Sequence, residues 1–131
     1  MDQELVKEIY LLHDQVCDAL GNPCRLMILY ALNGGRRYVT DLAAELHVPQ
    51  STVSRHLKVL RDRGLVVPRR EGPAVFYELA DKRIIEALDL LRSTMYDRLQ
   101  QQVQIADAGS GRALRSLTQT ASQADSVLRD E

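Results

Sequence analysis

The sequence has no tryptophan, one phenylalanine and five tyrosines, so few aromatic side chains are present for stacking against nucleotide bases. This shortage argues against an RNA-type stacking platform. The chain has only two cysteines in 131 residues, and a chain of this length buries enough apolar surface to fold without a disulfide. We therefore expect one domain whose cysteines are reduced.

Long apolar runs and enzyme motifs are also missing. No apolar run reaches about 18 residues, and no basic start precedes a short apolar stretch, so we expect neither a membrane span nor a secretory signal and place the protein in the cytoplasm. The sequence contains no Gly-rich phosphate loop, no paired carboxylates in an apolar setting and no Ser/His/Asp pattern. It therefore predicts no enzyme and no cofactor.

Positive charge is concentrated in one third of the chain. Residues 36–70 hold eight of the 17 Lys and Arg residues but only three of the 18 acidic residues, which leaves this segment at +5 and the remainder at −6. A basic segment in a nearly neutral protein indicates a local surface that faces phosphates, and the acidic remainder would orient it. We therefore expect double-stranded DNA as a partner.

Residues 41–65 predict two short helices with a tight joint, and they organise the rest of the chain. The first helix is indicated by apolar residues at i, i+3, i+4 and i+7, namely Val39, Leu42, Ala43 and Leu46, and it ends at Val48 and Pro49. Ser51 is the expected N-cap of the second helix, and Gly64 suits a left-handed stop after it. A narrow apolar stripe should dock the second helix on the first; it consists of Val53, Leu57 and Leu60.

With that stripe turned inward, polar and basic side chains remain on the outer, N-terminal part of the second helix. They are Thr52, Ser54, Arg55, His56 and Lys58. A helix-turn-helix protein places this part of its second helix in the major groove of DNA. The alternative is an ordinary solvated helix face with Ser51 as a cap, but the concentration of positive charge favours DNA.

Two further helices are predicted before this pair. Residues 3–20 have an apolar face at spacings of four, three, four and four, formed by Leu5, Ile9, Leu12, Val16 and Leu20. Asn22 can cap the next helix with Pro23 at its first position. That helix is apolar on most sides between Leu26 and Leu32, so we expect it to be the central core helix.

After Gly64 the pattern predicts a β-hairpin. Its strands are Leu65–Val67 and Ala74–Leu79, with Val75, Tyr77 and Leu79 on one face of the second strand. The turn is expected to contain Arg69, Arg70 and Gly72. A basic hairpin after a recognition helix is a wing that can reach the DNA backbone or minor groove, and the alternative is a surface turn with two solvated arginines.

The last predicted helix has an apolar stripe that a second protein surface could cover. Asp81 can cap it, and its apolar stripe continues through Ile84, Leu88, Leu91, Met95, Leu99, Val103 and Ile105. Together with the first helix this is more apolar surface than one small domain needs, so we expect a homodimer. We expect residues 1–107 to form the DNA-binding and dimerisation domain and residues 108–131, after a Gly-rich linker, to be a mobile tail. The predicted fold is mainly α with a small β-hairpin wing, in the order α-α-α-α-β-β-α.

Four strings make the chain similar to a known family. They are ALGNPCRLMIL (19–29), DLAAEL (41–46), QSTVSRHLKVLRDRGLV (50–66) and FYEL (76–79). They resemble the ArsR/SmtB family of dimeric bacterial repressors over about residues 5–100, and the string 50–66 is the most specific. The resemblance implies a homodimeric winged helix-turn-helix that leaves its promoter when an effector binds. The family pattern assigns DNA contacts to Gln50, Ser51, Thr52, Ser54, Arg55 and His56.

The metal sites of that family are not carried over. The arsenic-type Cys-x-Cys position holds Tyr38, Val39 and Thr40. The zinc-type Asp-x-His position holds Asp81, Lys82 and Arg83, and the later His-x-x-Glu/Asp position begins at Thr94 and ends at Asp97. Both imidazoles are absent, and two carboxylates are too few for zinc.

The two cysteines are the remaining effector candidates. Cys24 lies in the first turn of a helix beside Arg25, where the helix dipole and the cation favour a thiolate, and Cys17 is its candidate resolving partner. The favoured effector is thiol oxidation or persulfide, since some members of the family sense these with cysteine pairs. Other interpretations remain: a soft metal or arsenite bound by His13, Cys17 and Cys24, two cysteines acting as small buried hydrophobes, or a winged protein-interaction module that does not use DNA.

Overall fold

The structure is a computed structural model, and it describes residues 1–107. The N-terminal arm, residues 3–20, comprises α1 (Gln3–Leu12), a π-helical turn (His13–Cys17) and the short α2 (Asp18–Leu20). The core and wing follow as α3 (Pro23–Asn33), β1 (Arg37–Tyr38), α4 (Val39–Leu46), α5 (Gln50–Asp62), β2 (Val66–Glu71), β3 (Ala74–Leu79) and α6 (Arg83–Asp107). The predicted tail lies outside the described residues, and no helix within residues 1–107 is long and apolar enough to cross a membrane.

The central helix is α3, as the sequence predicted. The side chain of Asn22 accepts hydrogen bonds from the backbone N–H groups of Cys24 (2.8 Å) and Arg25 (3.2 Å), and Pro23 occupies the first helical position. Ile28 and Leu29 are completely buried at the centre of the core. The cap and the early proline therefore fix where the core begins.

The predicted helix pair is confirmed as α4 and α5, with one correction at the joint. His47 ends α4 in the left-handed region at φ 56°, and Pro49, in extended conformation, is the N-cap of α5. The expectation that Ser51 is the cap is wrong, because the Pro49 carbonyl already accepts the Val53 N–H at 3.2 Å and helix begins at Gln50. Gly64, just after the end of α5, adopts the left-handed backbone conformation at φ +73°, as expected.

The wing has a longer first strand and a shorter turn than predicted, whereas the second strand has the predicted bounds, Ala74–Leu79. β2 and β3 pair antiparallel over six residues, with Arg69 opposite Phe76 and Arg70 opposite Val75, so both arginines lie on a strand and not in the turn. The turn is Gly72 and Pro73, with Gly72 at φ +62°. In the strand order β1-β3-β2 the strand carrying Pro68 lies at an edge, where a missing N–H is tolerated.

A short third strand, β1, was not predicted. Arg37 and Tyr38 pair with Tyr77 and Phe76 of β3 and close the sheet against the start of α4. Tyr38 meets Phe76 edge to face with 6.1 Å between ring centroids. Two residues carry no periodic pattern, so only the partner strand specifies this element.

The N-terminal arm is not the continuous α-helix that the sequence predicted. Its π-helical turn spans His13–Cys17, where the apolar positions Leu12, Val16 and Leu20 are each four residues apart. A π turn is wider than an α turn, so a spacing of four keeps these residues on one side. Leu5 and Ile9 remain exposed to about half of their full surface, so the apolar face of α1 is largely uncovered within one chain.

The last helix is capped by Asp81, as predicted. Its carboxylate accepts the Arg83 backbone N–H at 2.9 Å and pairs with the Arg83 guanidinium at 2.7 Å, which lowers the pKa of Asp81 to about 2. The start of α6 packs on the core through Ile85 and Leu88, and Tyr30 of α3 donates to Asp89 at 2.7 Å. Farther along, Leu91 is 65% exposed and Met95 56%.

Replacing Leu57 by alanine should lower the free energy of unfolding by about 2–5 kcal/mol, because this side chain is completely buried between α5 and the core and its removal leaves a cavity. Urea unfolding followed by circular dichroism measures the change. The matched control is Lys58→Ala, an exposed position on the same helix, which should change stability by less than about 0.5 kcal/mol. Equal losses in the two variants would contradict the buried placement of Leu57.

Candidate nucleic-acid interface

The exposed face of α5 is polar and carries two cations. Ser51, Ser54, Arg55 and Lys58 follow one another at intervals of three, one and three residues, which places them on one side of the helix, and all four are exposed. Gln50, the first residue of α5, is exposed beside them. Five of the seven predicted contact residues on this helix therefore share one accessible surface, which we call the outer face of α5.

Thr52 and His56 are the exceptions, and their predicted outward placement is wrong. Each is only 4% exposed. The buried side of α5 is wider than the apolar stripe, because positions 52 and 56 lie one above the other next to the completely buried Val53 and Leu57. The two polar residues thus lie on the buried side of α5 and do not belong to its outer face.

His56 lies against an arginine of the core helix. The Nδ1 atom of His56 is 3.5 Å from Nη1 of Arg25. The same arginine donates a hydrogen bond through its Nε atom to the carbonyl oxygen of Ala19 at 2.6 Å. A guanidinium has no acceptor, so this contact suits the histidine tautomer whose Nδ1 lone pair is available. The buried side of α5 is therefore in polar contact with α3.

Acidic side chains of the wing pair with one arginine of β2 and with one arginine that precedes β1. Arg69 pairs with Glu78 at 3.3 Å. Arg36 pairs with Glu71 at 3.2 Å and lies 4.3 Å above the Phe76 ring. These pairs are well exposed, so each contributes little to stability and water or another anion can compete for the arginine.

Ion pairing divides the eight cations of residues 36–70 into two groups. Five are within 4.0 Å of a carboxylate: Arg36, Arg37, Arg61, Arg63 and Arg69. Among residues 1–107, no such pair involves Arg55, Lys58 or Arg70, and all three are exposed. The charge available to a phosphate or a base edge is therefore concentrated on the outer face of α5 and on β2.

The two cysteines differ in their exposure to solvent. Cys24 is completely buried in the core, whereas Cys17, at the end of the π-helical turn, is exposed. Burial of Cys24 argues against the prediction that it is the first thiol to react and agrees, at this position, with the alternative of a small buried hydrophobe. The neighbouring Arg25 guanidinium is engaged by the carbonyl oxygens of Asp18 and Ala19.

The three-residue metal site is also wrong. Within residues 1–107, no group of three His, Cys, Asp or Glu side chains is arranged to hold a metal ion. His13 is exposed with its Nδ1 atom 3.2 Å from Asp14, while Cys24 lies inside the core. His13, Cys17 and Cys24 are therefore not brought together.

Comparison with known proteins identifies this combination of helix pair and wing. The model of the family described as "Bacterial regulatory protein, arsR family" matches residues 22–67, from the cap of α3 to the start of β2. The uncharacterized HTH-type transcriptional regulator MJ1325 of Methanocaldococcus jannaschii is 40% identical over 78 residues, which are 59% of this chain and 88% of that protein. The chain belongs to the ArsR family.

Two other relatives extend the comparison of this ArsR-family chain. The HTH-type transcriptional regulator NmtR of Mycobacterium tuberculosis is 48% identical over 71 residues, which are 54% of this chain but only 59% of NmtR. The homodimeric winged helix-turn-helix DNA-binding domain of Mb0332 from Mycobacterium bovis aligns with a TM-score of 0.66 and 28% identity over 77% of this chain and 93% of that chain. The winged helix-turn-helix fold is thus confirmed, and the family is one of transcriptional regulators and not of enzymes.

Proposed function

We propose that this ArsR-family chain is a sequence-specific DNA-binding repressor that leaves its operator in response to an effector signal. The observation that carries the proposal is the outer face of α5, where Arg55 and Lys58 are exposed and form no ion pair with the carboxylates of residues 1–107. A helix with this face fits the major groove, because its cations are available to bases and phosphates without breaking an internal contact. If the protein has no affinity for any duplex DNA, it is instead a protein-interaction module.

The proposed DNA contacts form two groups, one with base edges and one with phosphates. Gln50, Ser51, Ser54 and Arg55 occupy the N-terminal half of the outer face, the half that a helix-turn-helix protein directs at base edges. Lys58 lies one turn farther along, and Arg69 and Arg70 lie on β2, where they suit contacts with phosphates. Thr52 and His56 are not included as DNA contacts, because they are buried.

Arg55→Ala should weaken binding to the operator by about 1–3 kcal/mol while changing binding to random DNA much less, because a base contact discriminates between sequences. Arg70→Ala should weaken binding to both DNAs and reduce the slope of log affinity against log salt by about one, because it removes a phosphate contact. Fluorescence anisotropy across a salt series measures both effects.

The control for charge is Lys7→Ala, which removes one positive charge from α1, outside the basic segment, and should change DNA affinity little. Equal losses on operator and random DNA for Arg55→Ala would show that Arg55 touches only phosphate.

The repressor acts as a homodimer in this proposal. The exposed apolar residues Leu91 and Met95 of α6 and the exposed apolar face of α1 are unfavourable in water, and covering both on a second copy removes them from solvent. The related Mb0332 domain is homodimeric, which supports this arrangement. Two recognition helices then face successive major grooves, on the order of 34 Å apart.

Met95→Glu should convert the dimer to a monomer in sedimentation experiments and lower operator affinity, because it places a charge in a desolvated interface. Ser93→Glu is the matched control. Ser93 is exposed and lies on the opposite side of α6 from Leu91 and Met95, so the same charge there should leave the association unchanged. A Met95→Glu protein that remains a dimer would place the interface elsewhere.

The effector signal acts on Cys17 in this proposal. Cys17 is exposed in the π-helical turn, so a thiol-reactive signal such as an oxidant or a persulfide reaches it in the folded protein. Cys24 is completely buried, so a disulfide between the two would first require residues 18–23 to open. Modification at Cys17 therefore comes first, and Cys24 participates only after local opening.

Cys17→Ser should abolish release of the operator by a persulfide donor or hydrogen peroxide, whereas Cys24→Ala should retain at least the initial modification at Cys17. Mass spectrometry of the native protein gives the order in which the two thiols react, and anisotropy reports release. If the Cys17→Ser protein still releases operator with every thiol-reactive compound, the effector acts at another site.

A further inference from the structure

Arg25 of α3 caps the end of the N-terminal arm. Its Nε donates to the carbonyl oxygen of Ala19 at 2.6 Å, and its Nη2 donates to that of Asp18 at 3.4 Å. These carbonyls belong to α2, whose last turn precedes Gly21. The Asp18 carbonyl also accepts the Gly21 N–H at 3.3 Å. Carbonyl groups in the last turn of a helix carry its negative dipole end, so a guanidinium there both donates hydrogen bonds and balances charge.

The same guanidinium contacts the recognition helix. Nη1 of Arg25 is 3.5 Å from Nδ1 of His56, whose side chain is buried on the inner side of α5. Arg25 therefore lies at a junction where one planar group contacts three segments of the chain: the end of the arm, the core helix that carries it, and the recognition helix. A lysine cannot reproduce this arrangement, because an ammonium group lacks the planar fork of donors.

A second, more exposed link joins the same two segments. Arg63, the C-cap residue of α5, is 3.5 Å from the Asp18 carboxylate, whose side chain is 62% exposed. An exposed ion pair of this length contributes little energy. Arg25 is partly buried, and its contacts with Ala19 (2.6 Å) and His56 (3.5 Å) form a less exposed polar link between the arm and α5.

We propose that Arg25 is a positioning residue that fixes the orientation of α5 relative to the N-terminal arm and thereby sets the discrimination between operator and random DNA. The inference rests on the DNA-binding function proposed above. A tilt of α5 displaces Arg55 from base edges before it displaces charges from phosphates, because base contacts require closer geometry than contacts with the backbone.

The arm is suited to transmit such a change. Its π-helical turn immediately precedes the Asp18–Ala19 segment that Arg25 holds, and π turns are often found at functional positions in helices. The apolar face of α1 is exposed within one chain, so a contact made on that face can change the position of the arm. Coupling between two sites is reciprocal, so DNA bound at α5 must also stabilise residues 18–22.

The binding experiment compares Arg25→Met and Arg25→Lys with wild type. We expect the ratio of operator affinity to random-DNA affinity to fall on the order of tenfold in Arg25→Met and by a smaller factor in Arg25→Lys. A variant that is merely less stable loses active protein equally for both DNAs and keeps the ratio. The matched control is Asp18→Asn, which breaks the exposed pair with Arg63, leaves the Asp18 carbonyl in place and should keep the ratio within about twofold.

Hydrogen exchange provides an independent measurement. Operator DNA should slow exchange of the amides in residues 18–22 of the wild-type protein, including the Gly21 N–H that donates to the Asp18 carbonyl at 3.3 Å. The same DNA should slow these amides much less in Arg25→Met, because the link through Arg25 is gone and the exposed Arg63–Asp18 pair contributes little. The exposed amides at the start of α1 serve as an internal reference.

The outcomes separate the two proposals. A wild-type protein without affinity for DNA refutes the DNA-binding function itself. A wild-type protein that binds operator, together with an Arg25→Met variant that keeps the wild-type affinity ratio, overturns the role of Arg25. If Arg25→Met does not fold, Arg25→Lys and the wild-type exchange measurement decide: an unchanged ratio in Arg25→Lys or unprotected amides at 18–22 overturns the role equally.

Discussion

The structure depends on the packing of one side of α5 against the core. Val53, Leu57 and Leu60 are completely buried, and they share the core with Ile28 and Leu29 of α3. Because this side of the helix is fixed by apolar burial, the opposite side can be entirely polar without a cost in folding. The outer face of α5 is therefore a direct result of the hydrophobic effect on its inner side.

Most of the fold could be predicted from the sequence, because its elements are specified locally. The Asn22 cap with Pro23, the apolar spacing of α4, the glycine at 64 and the alternation in β3 each depend on residues within a few positions of one another. The short strand β1 forms by pairing with residues about 40 positions away in the sequence. The length of β2 is set by pairing with residues about 10 positions away, and no local sequence pattern indicates either pairing.

The candidate site was harder to predict because it depends on which polar groups meet inside the fold. Thr52 and His56 are polar residues on the buried side of α5, and their hydrophilicity alone places them outside. The acidic neighbours that engage Arg36 and Arg69 lie on the wing and are reached only through strand pairing. For Cys24 the sequence allows both a reactive thiolate and a small buried hydrophobe, and only the tertiary packing around the start of α3 shows that the side chain is buried.

Pro68 has a consequence for how copies of this protein meet. β2 is an edge of the sheet within the described residues, and an open edge is a template on which a strand of another molecule can add. Pro68 offers no N–H to such a strand, and the charged run Arg69, Arg70 and Glu71 follows it. Pro68 and the charges that follow it therefore oppose pairing of two wings along this edge, so the sheet resists edge-to-edge aggregation of copies of the protein.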